Sequence, residues 1–353
     1  MFRPPRCPNR GCSEHRSPRP EFFVRKGTYH PHCRAQPVPR FRCRTCMKGF
    51  SRQTFRSDYR DHRPDLNVPL YLALASGVGL RQSARNLGLS LRCLELKARK
   101  LARHLRRLNL NLRSALPPGA TLHFDELETF EERRNTRPLS VPVLIESKSR
   151  FLIWAESAPI RPHGRMSPAR RKALEEDEKR LGKRRNLSRR SIERTLRRGA
   201  DLAGSLERVL LHTDEKKSYP ALARRVFGAN RLQHERTNSR LARGTWNPLF
   251  AINHTEAMLR DLTGRLRRES WLVSKKRRYL DLALQVWMSY RNYVRRRFNT
   301  DKASSAEHLG FLPRRLRPQE LLSWRQDWRR ESPHPLGDGE KTIAGWPGMK
   351  PAA

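Results

Sequence analysis

Acidic residues are in short supply: 34 Asp and Glu face 76 Lys and Arg, a formal net charge of +42. Solubility needs nothing so large, and such a field implies a polyanionic partner. Most of the positive charge is Arg, whose planar fork grips phosphate in two places and stacks on bases, so nucleic acid fits better than a membrane. Long apolar runs are missing as well. The longest, Val68 to Leu80, has 13 residues and is broken by Pro69, Ser76 and two glycines, against the roughly 20 that a spanning helix requires. The opening Met1-Phe2-Arg3-Pro4-Pro5-Arg6 lacks an apolar signal core. A cytoplasmic protein in a reducing compartment is therefore expected, and its six cysteines read as metal ligands or free thiols rather than disulfides. Internal repeats are lacking too.

What is there divides into stretches of different period. Residues 1–60 hold five of the six cysteines with little helical periodicity, a small metal-stapled module. Residues 66–114 turn to a 3.6 period punctuated by Gly77, Gly79 and Gly88. After Pro117-Pro118-Gly119 come β-type runs, Thr121 to Phe130, Ser140 to Glu146 and Phe151 to Ala155, spaced as the antiparallel start of a sheet. Residues 161–200 carry 15 Lys or Arg and five acids, which predicts a solvated basic helical insertion whose last part, Ser191 to Leu206, packs on the sheet. Val209 to Thr213 forms another β run, and from Ile252 to Phe298 two helices follow, with Leu259, Leu262, Leu266 and Trp271 as core. Strands then helices over 119–330 mean an α/β or α+β core, and the Pro- and Gly-rich tail 331–353 is expected to be disordered.

Cys7-Pro-Asn-Arg-Gly-Cys12 and Cys43-Arg-Thr-Cys46 put four thiols on two short turns, an arrangement suited to tetrahedral zinc through Cys7, Cys12, Cys43 and Cys46. Cys33, flanked by His30 and His32, could replace a ligand or stand aside. Further on, a helix ending at Gly77, a second over Arg81 to Leu87, a turn at Gly88-Leu89-Ser90 and a third from Leu91 have the arithmetic of a helix-turn-helix. Ser90 can cap the third helix, while Arg92, Lys97, Arg99 and Lys100 would offer a basic face to DNA. Leu91, Leu94, Ala98, Leu101, Leu105 and Leu108 would form either a coiled-coil seam or a face against the protein's own core.

Two β runs end in acids, Asp125-Glu126 after Phe124 and Asp214-Glu215 after Thr213. Phosphodiester chemistry uses divalent ions about 3.5 to 4 Å apart, and hard ions need carboxylate oxygens. Asn253-His254-Thr255-Glu256, at a helix start, puts Glu256 and Asn253 on one face as the third ligand. His234 and Asn238 are polar candidates nearby. Arg260, Arg265, Arg267, Arg268, Lys275, Lys276, Arg277 and Arg278 follow as phosphate contacts.

With these pieces in order, Cys7-Pro-Asn to Cys12, Phe41-Arg-Cys-Arg-Thr-Cys46, Ser83-Ala-Arg-Asn-Leu-Gly-Leu-Ser90, Phe124-Asp-Glu126, Thr213-Asp214 and Asn253-His-Thr-Glu-Ala-Met-Leu-Arg260, the chain resembles the bacterial insertion-sequence transposases over about residues 7–330. The resemblance implies a zinc ribbon and a helix-turn-helix ahead of a ribonuclease-H-like mixed sheet flanked by helices. It also implies an Asp125, Asp214, Glu256 triad binding Mg2+ (or Mn2+), double-stranded transposon ends and target DNA as partners, and a homodimer or larger assembly in a nucleoid-associated synaptic complex. A DNA-binding protein with an inert core, and a ribonuclease or junction resolvase on the same fold, are the competing expectations.

Overall fold

The computed structural model describes residues 2–267 and 270–324, so Arg268 and the tail 331–353 lie outside the described residues. Near the N-terminus a short helix α1 (Ser13–Arg16) precedes an antiparallel sheet of β1 (Phe23–Tyr29), β2 (Val38–Cys43) and β3 (Gly49–Ser51), in that order. Phe22, Phe41, Phe50 and Phe55 bury with Cys7, Cys12 and Cys43 in a cluster of their own. So small an apolar cluster stabilises a fold only with a covalent or metal staple.

Helices α2 (Asn67–Ala75), α3 (Leu80–Asn86) and α4 (Leu91–Asn111) follow. The turn between the last two needs Gly88, whose φ of +61° few side-chain-bearing residues adopt. Ser90 then caps α4 by accepting from the Cys93 N–H at 3.2 Å, as expected of an N-cap serine. Along α4, Leu94, Leu101, Leu105 and Leu108 are all buried, so the leucine series faces this protein's own core instead of a partner helix.

Lys97 corrects the sequence reading. It is 7% exposed, with its ammonium 2.6 Å from Asp61 Oδ1 and 2.7 Å from the Arg63 carbonyl. An acid 36 positions away in the chain draws it inward, so it offers nothing to DNA. Lys100 is likewise half-buried and donates to the Tyr59 carbonyl. The exposed stripe of α4 is instead Arg92, Leu96 and Arg103, with Arg99 half-buried beside it. Because an uncompensated buried charge costs about 3–5 kcal/mol, Lys97→Ala should lower unfolding free energy by that order in a denaturant titration, whereas Arg92→Ala should leave it unchanged.

The main sheet is mixed. Strands β4 (Thr121–Phe130), β5 (Pro138–Glu146), β6 (Leu152–Ala155) and the short β7 (Ala158–Pro159) form its antiparallel half. Helices α5 (Pro168–Leu181) and α6 (Ser188–Ala203) then lead to β8 (Val209–Asp214), which runs parallel to β4. Helix α7 (Tyr219–Phe227) returns the chain to β9 (Leu232–Thr237), parallel to β8, giving the order β6-β5-β4-β8-β9. Last come α8 (Phe250–Leu262), α9 (Arg277–Ser289), α10 (Ser305–His308) and α11 (Pro318–Ser323).

Consecutive strand residues face opposite sides, so Leu122, Phe124 and Glu126 share one face, and His123 and Asp125 the other. Helices α6 and α7 cover the first face. Gly199 of α6 lies so close to the sheet that an added Cβ would meet Leu144 at 2.7 Å, and Phe124 packs edge-on against Tyr219 at 5.1 Å. The expected packing of residues 191–206 on the sheet is thus observed, and α8 contacts β4 and β5. One buried cluster runs without a break from Leu70 through the sheet to Leu322.

Trp271, expected in the core, is wholly exposed. Its neighbour Leu272 is itself 36% exposed, although its side chain reaches against Gly79 and Gly264.

Candidate functional site

Parallel pairing aligns His123 with His212, and their rings stack with centroids 4.9 Å apart. Two residues further along the same strands and on the same face come Asp125 and Asp214. Helix α8 brings Glu256 and Asn253 to them: Asp125, Asp214, Asn253 and Glu256 all line one cavity of about 490 Å3, together with Asn238, Arg243 and Arg260. Asp125, Asp214 and Glu256, from two strands and a helix, therefore share one space, with Glu126 and Glu128 of β4 also on its wall. A second cavity of about 460 Å3 continues past Asp125 and Asp214 toward Arg161, His163 and Lys216.

Electrostatics sets this group apart from ordinary strand-end acids. Burial, followed by the charge of Asp214, raises the Asp125 carboxyl to about 6. Burial and then Asp125 raise Glu256 to about 8. One Glu256 oxygen, Oε1, is buried without any hydrogen-bond partner. An all-oxygen donor set with crowded, under-compensated negative charge is what a hard divalent cation satisfies. The acids are not packed as tightly as a single-ion cluster. Among the described residues, only the four cysteines bring every ligand atom of a His, Cys, Asp or Glu group within 4.8 Å of the others.

The sign of the pH effect follows. Both carboxyls titrate higher in the fold than in the unfolded chain, so the folded state holds more protons, and their contribution to stability falls as pH rises from about 4 toward 8. Without divalent ions at pH 8, Glu256→Gln should melt higher than the parent chain by on the order of 2 °C, and the difference should vanish near pH 4. A scanning calorimetry series in a chelating buffer checks this; a gap independent of pH would contradict the assignment of the charge.

Not every candidate converges. His234 lies on the opposite face, its Nε2 2.9 Å from Thr213 Oγ1, and does not line the acid cavity, whereas Asn238 does. Of the basic residues after Glu256, Arg260 lines the cavity, while Lys275 and Lys276 are exposed apart from it. Arg267 is exposed but tethered to the Asp261 carbonyl at 2.9 Å. Arg277 is held by Asp281 at 3.0 Å, and Arg265 donates to Ser274 at 3.0 Å. Missing from the sequence reading were Arg243, on the loop after β9, and Lys216. Lys216 stands two residues beyond Asp214, and that closeness was the available signal.

The thiols form the second site. Cys7 and Cys46 Sγ stand 3.5 Å apart, Cys12 and Cys43 Sγ 3.9 Å, close to the roughly 3.8 Å that zinc–sulfur bonds of about 2.3 Å impose on a tetrahedron. Burial first, and then hydrogen bonds from the other thiols, push Cys7 and Cys12 upward, so together they call for a cation. The four can hold a structural metal such as zinc. Cys33 stands outside, its thiol toward the Asp61 carbonyl.

Among the described residues no helix is long and apolar enough to cross a membrane. Neither protein-family models nor curated proteins give a match to this chain.

Proposed function

We propose that the chain is a DNA transposase with a ribonuclease-H-like catalytic sheet, acting on double-stranded DNA with Mg2+ or Mn2+ and assembling at least as a homodimer to pair two ends. The observation that carries the reading is the meeting of Asp125, Asp214 and Glu256 in one cavity. The net charge of +42, the helix-turn-helix arithmetic of α2 to α4 and the thiol cluster support a DNA substrate over other phosphodiesters.

Asp125, Asp214 and Glu256 would hold the cations, with Asn253 beside Glu256. When bound, such ions lower the pKa of an attacking hydroxyl and neutralise charge on the leaving oxygen. The chain's own part is positioning. Arg243 and Arg260, on the cavity wall, offer guanidinium donors to the non-bridging oxygens of a phosphodiester. The exposed Arg92 and Arg103 on α4, with the half-buried Arg99 between them, would set the duplex in register without touching the chemistry.

The test uses the purified chain, Mg2+ and duplex oligonucleotides from the DNA on either side of the coding sequence, with any inverted repeats found there placed at their ends. Nicks at the repeat boundary and joining of the freed 3′-hydroxyl to a second duplex are expected. Binding of that duplex with no cleavage in either Mg2+ or Mn2+ would overturn the enzymatic reading and leave a DNA-binding protein with an inert core.

A further inference from the structure

The carboxylate next to Asp125 in the chain borders both cavities and is held there by four side chains, three from separate elements and one from the loop after β8. Glu126 Oε1 accepts from Ser140 of β5 at 2.6 Å and from Ser188 of α6 at 2.9 Å. Its Oε2 accepts from Tyr219 of α7 at 3.0 Å and is ion-paired with Lys216, just beyond β8. Four donors on one buried carboxylate fix it in place.

The main chain adds a second relation. Asp125 Oδ1 accepts from the backbone N–H of Glu126 at 2.7 Å, and Asp214 Oδ1 accepts from the backbone N–H of Lys216 at 3.0 Å. The two residues joined by the ion pair are thus the same two whose N–H groups aim the two aspartates. We propose that Glu126 and Lys216 are positioning residues, a clamp that sets the spacing and orientation of Asp125 and Asp214 across the neighbouring strands β4 and β8 for a divalent cation. This rests on the acid site being a cation site. The clamp acts through the backbone, and neither side chain is asked to touch metal or substrate. Partners that orient ligands typically change metal affinity about 10- to 100-fold when lost.

Mn2+ titration of the full-length, zinc-loaded chain, followed by electron paramagnetic resonance, tests the clamp apart from activity. Lys216→Met should weaken Mn2+ binding by about 10- to 100-fold. The thermal midpoint of the Mn2+-free protein should fall by no more than a few degrees, because Glu126, 6% exposed, loses its ion pair but keeps three hydroxyl donors, and affinity is compared well below that midpoint. Lys216→Arg, which keeps the charge, should restore most of the affinity, and Glu126→Gln combined with Lys216→Met should cost no more than the worse single change. Parent-like Mn2+ affinity in Lys216→Met would overturn the clamp. So would a fall in affinity that tracks a collapse of the midpoint and is not relieved by Lys216→Arg, the mark of general packing. Asp125→Asn in the same titration separates the two levels. A parent chain whose Mn2+ binding does not depend on Asp125 sinks the acid-site reading itself, whereas Asp125-dependent binding with an indifferent Lys216→Met sinks the clamp alone.

Discussion

Asp125→Asn and Asp214→Asn should each cut Mg2+-dependent strand cleavage by about a hundredfold or more, since even the residues that merely orient a metal ligand cost up to about that much when lost. The amide keeps the size of the side chain, so the sheet has no reason to rearrange. At Asp125 the fold should gain slightly near pH 8. Its carboxyl is raised to about 6 by burial and then by Asp214, and neutralising it removes a repulsion from both Asp214 and Glu256. Lost cleavage with unchanged or higher melting temperature, and with DNA affinity preserved in a filter-binding assay, is therefore the expected signature. Full cleavage in either variant would mean that the acids share a cavity for another reason. A loss of cleavage explained by unfolding would show as a lowered midpoint, which the charge balance forbids.

Removal of the thiol-bound metal should have the largest effect on folding. The apolar content of the N-terminal module is little more than its phenylalanine cluster, and structural zinc sites contribute apparent folding energies on the order of 10 kcal/mol. Elemental analysis should find one zinc per chain. A strong chelator, or Cys43→Ser, should open residues 2–60 to proteolysis while the main sheet, whose core is a separate buried cluster, keeps its protection. Protons should be taken up as the metal leaves, because burial and neighbouring thiols raise Cys7 and Cys12. A chelated module that resists protease as the loaded one does would show that the four sulfurs are packed together without need of a cation.

Much of this arrangement was legible in the amino-acid order, for identifiable reasons. Strands β4, β5, β6 and β8 are buried apolar runs, and α2 to α4 carry a helical period with glycine and serine punctuation, so local physics suffices for them. Strand β9 escaped notice because Leu232–Thr237 is polar and largely exposed; it is a strand through its pairing with β8, which no local pattern reveals. Asp125 and Asp214 could be picked out because an acid following an apolar run is poorly accommodated unless it has a task, although β4 does not end before Asp125 but continues to Phe130, and Glu256 because it follows Asn253 by three in a helix. Lys97 misled for the converse reason: its helical position advertises a basic face, but Asp61 reaches it from a loop that periodicity does not describe. Trp271 was assigned by its apolarity, yet it is wholly exposed and Leu272 beside it is 36% exposed, so apolarity alone does not place a residue in the core.

Helix α4 has a consequence for anyone wishing to redirect this protein. Its inner side is stitched to the rest of the molecule: Asn109 donates to the Gln285 carbonyl at 3.1 Å, His104 contacts the Leu321 carbonyl at 3.0 Å, and Leu112 accepts from Tyr293 at 2.9 Å. At about 30 Å, the length that 1.5 Å per residue gives 21 residues, it is a keel rather than a detachable head. A graft that swaps the helical module at the Pro117-Pro118 bend would tear away planking from the hull, so if the helix reads DNA as proposed, altered preferences would have to be painted onto Arg92, Leu96 and Arg103 with the buried side left as it stands.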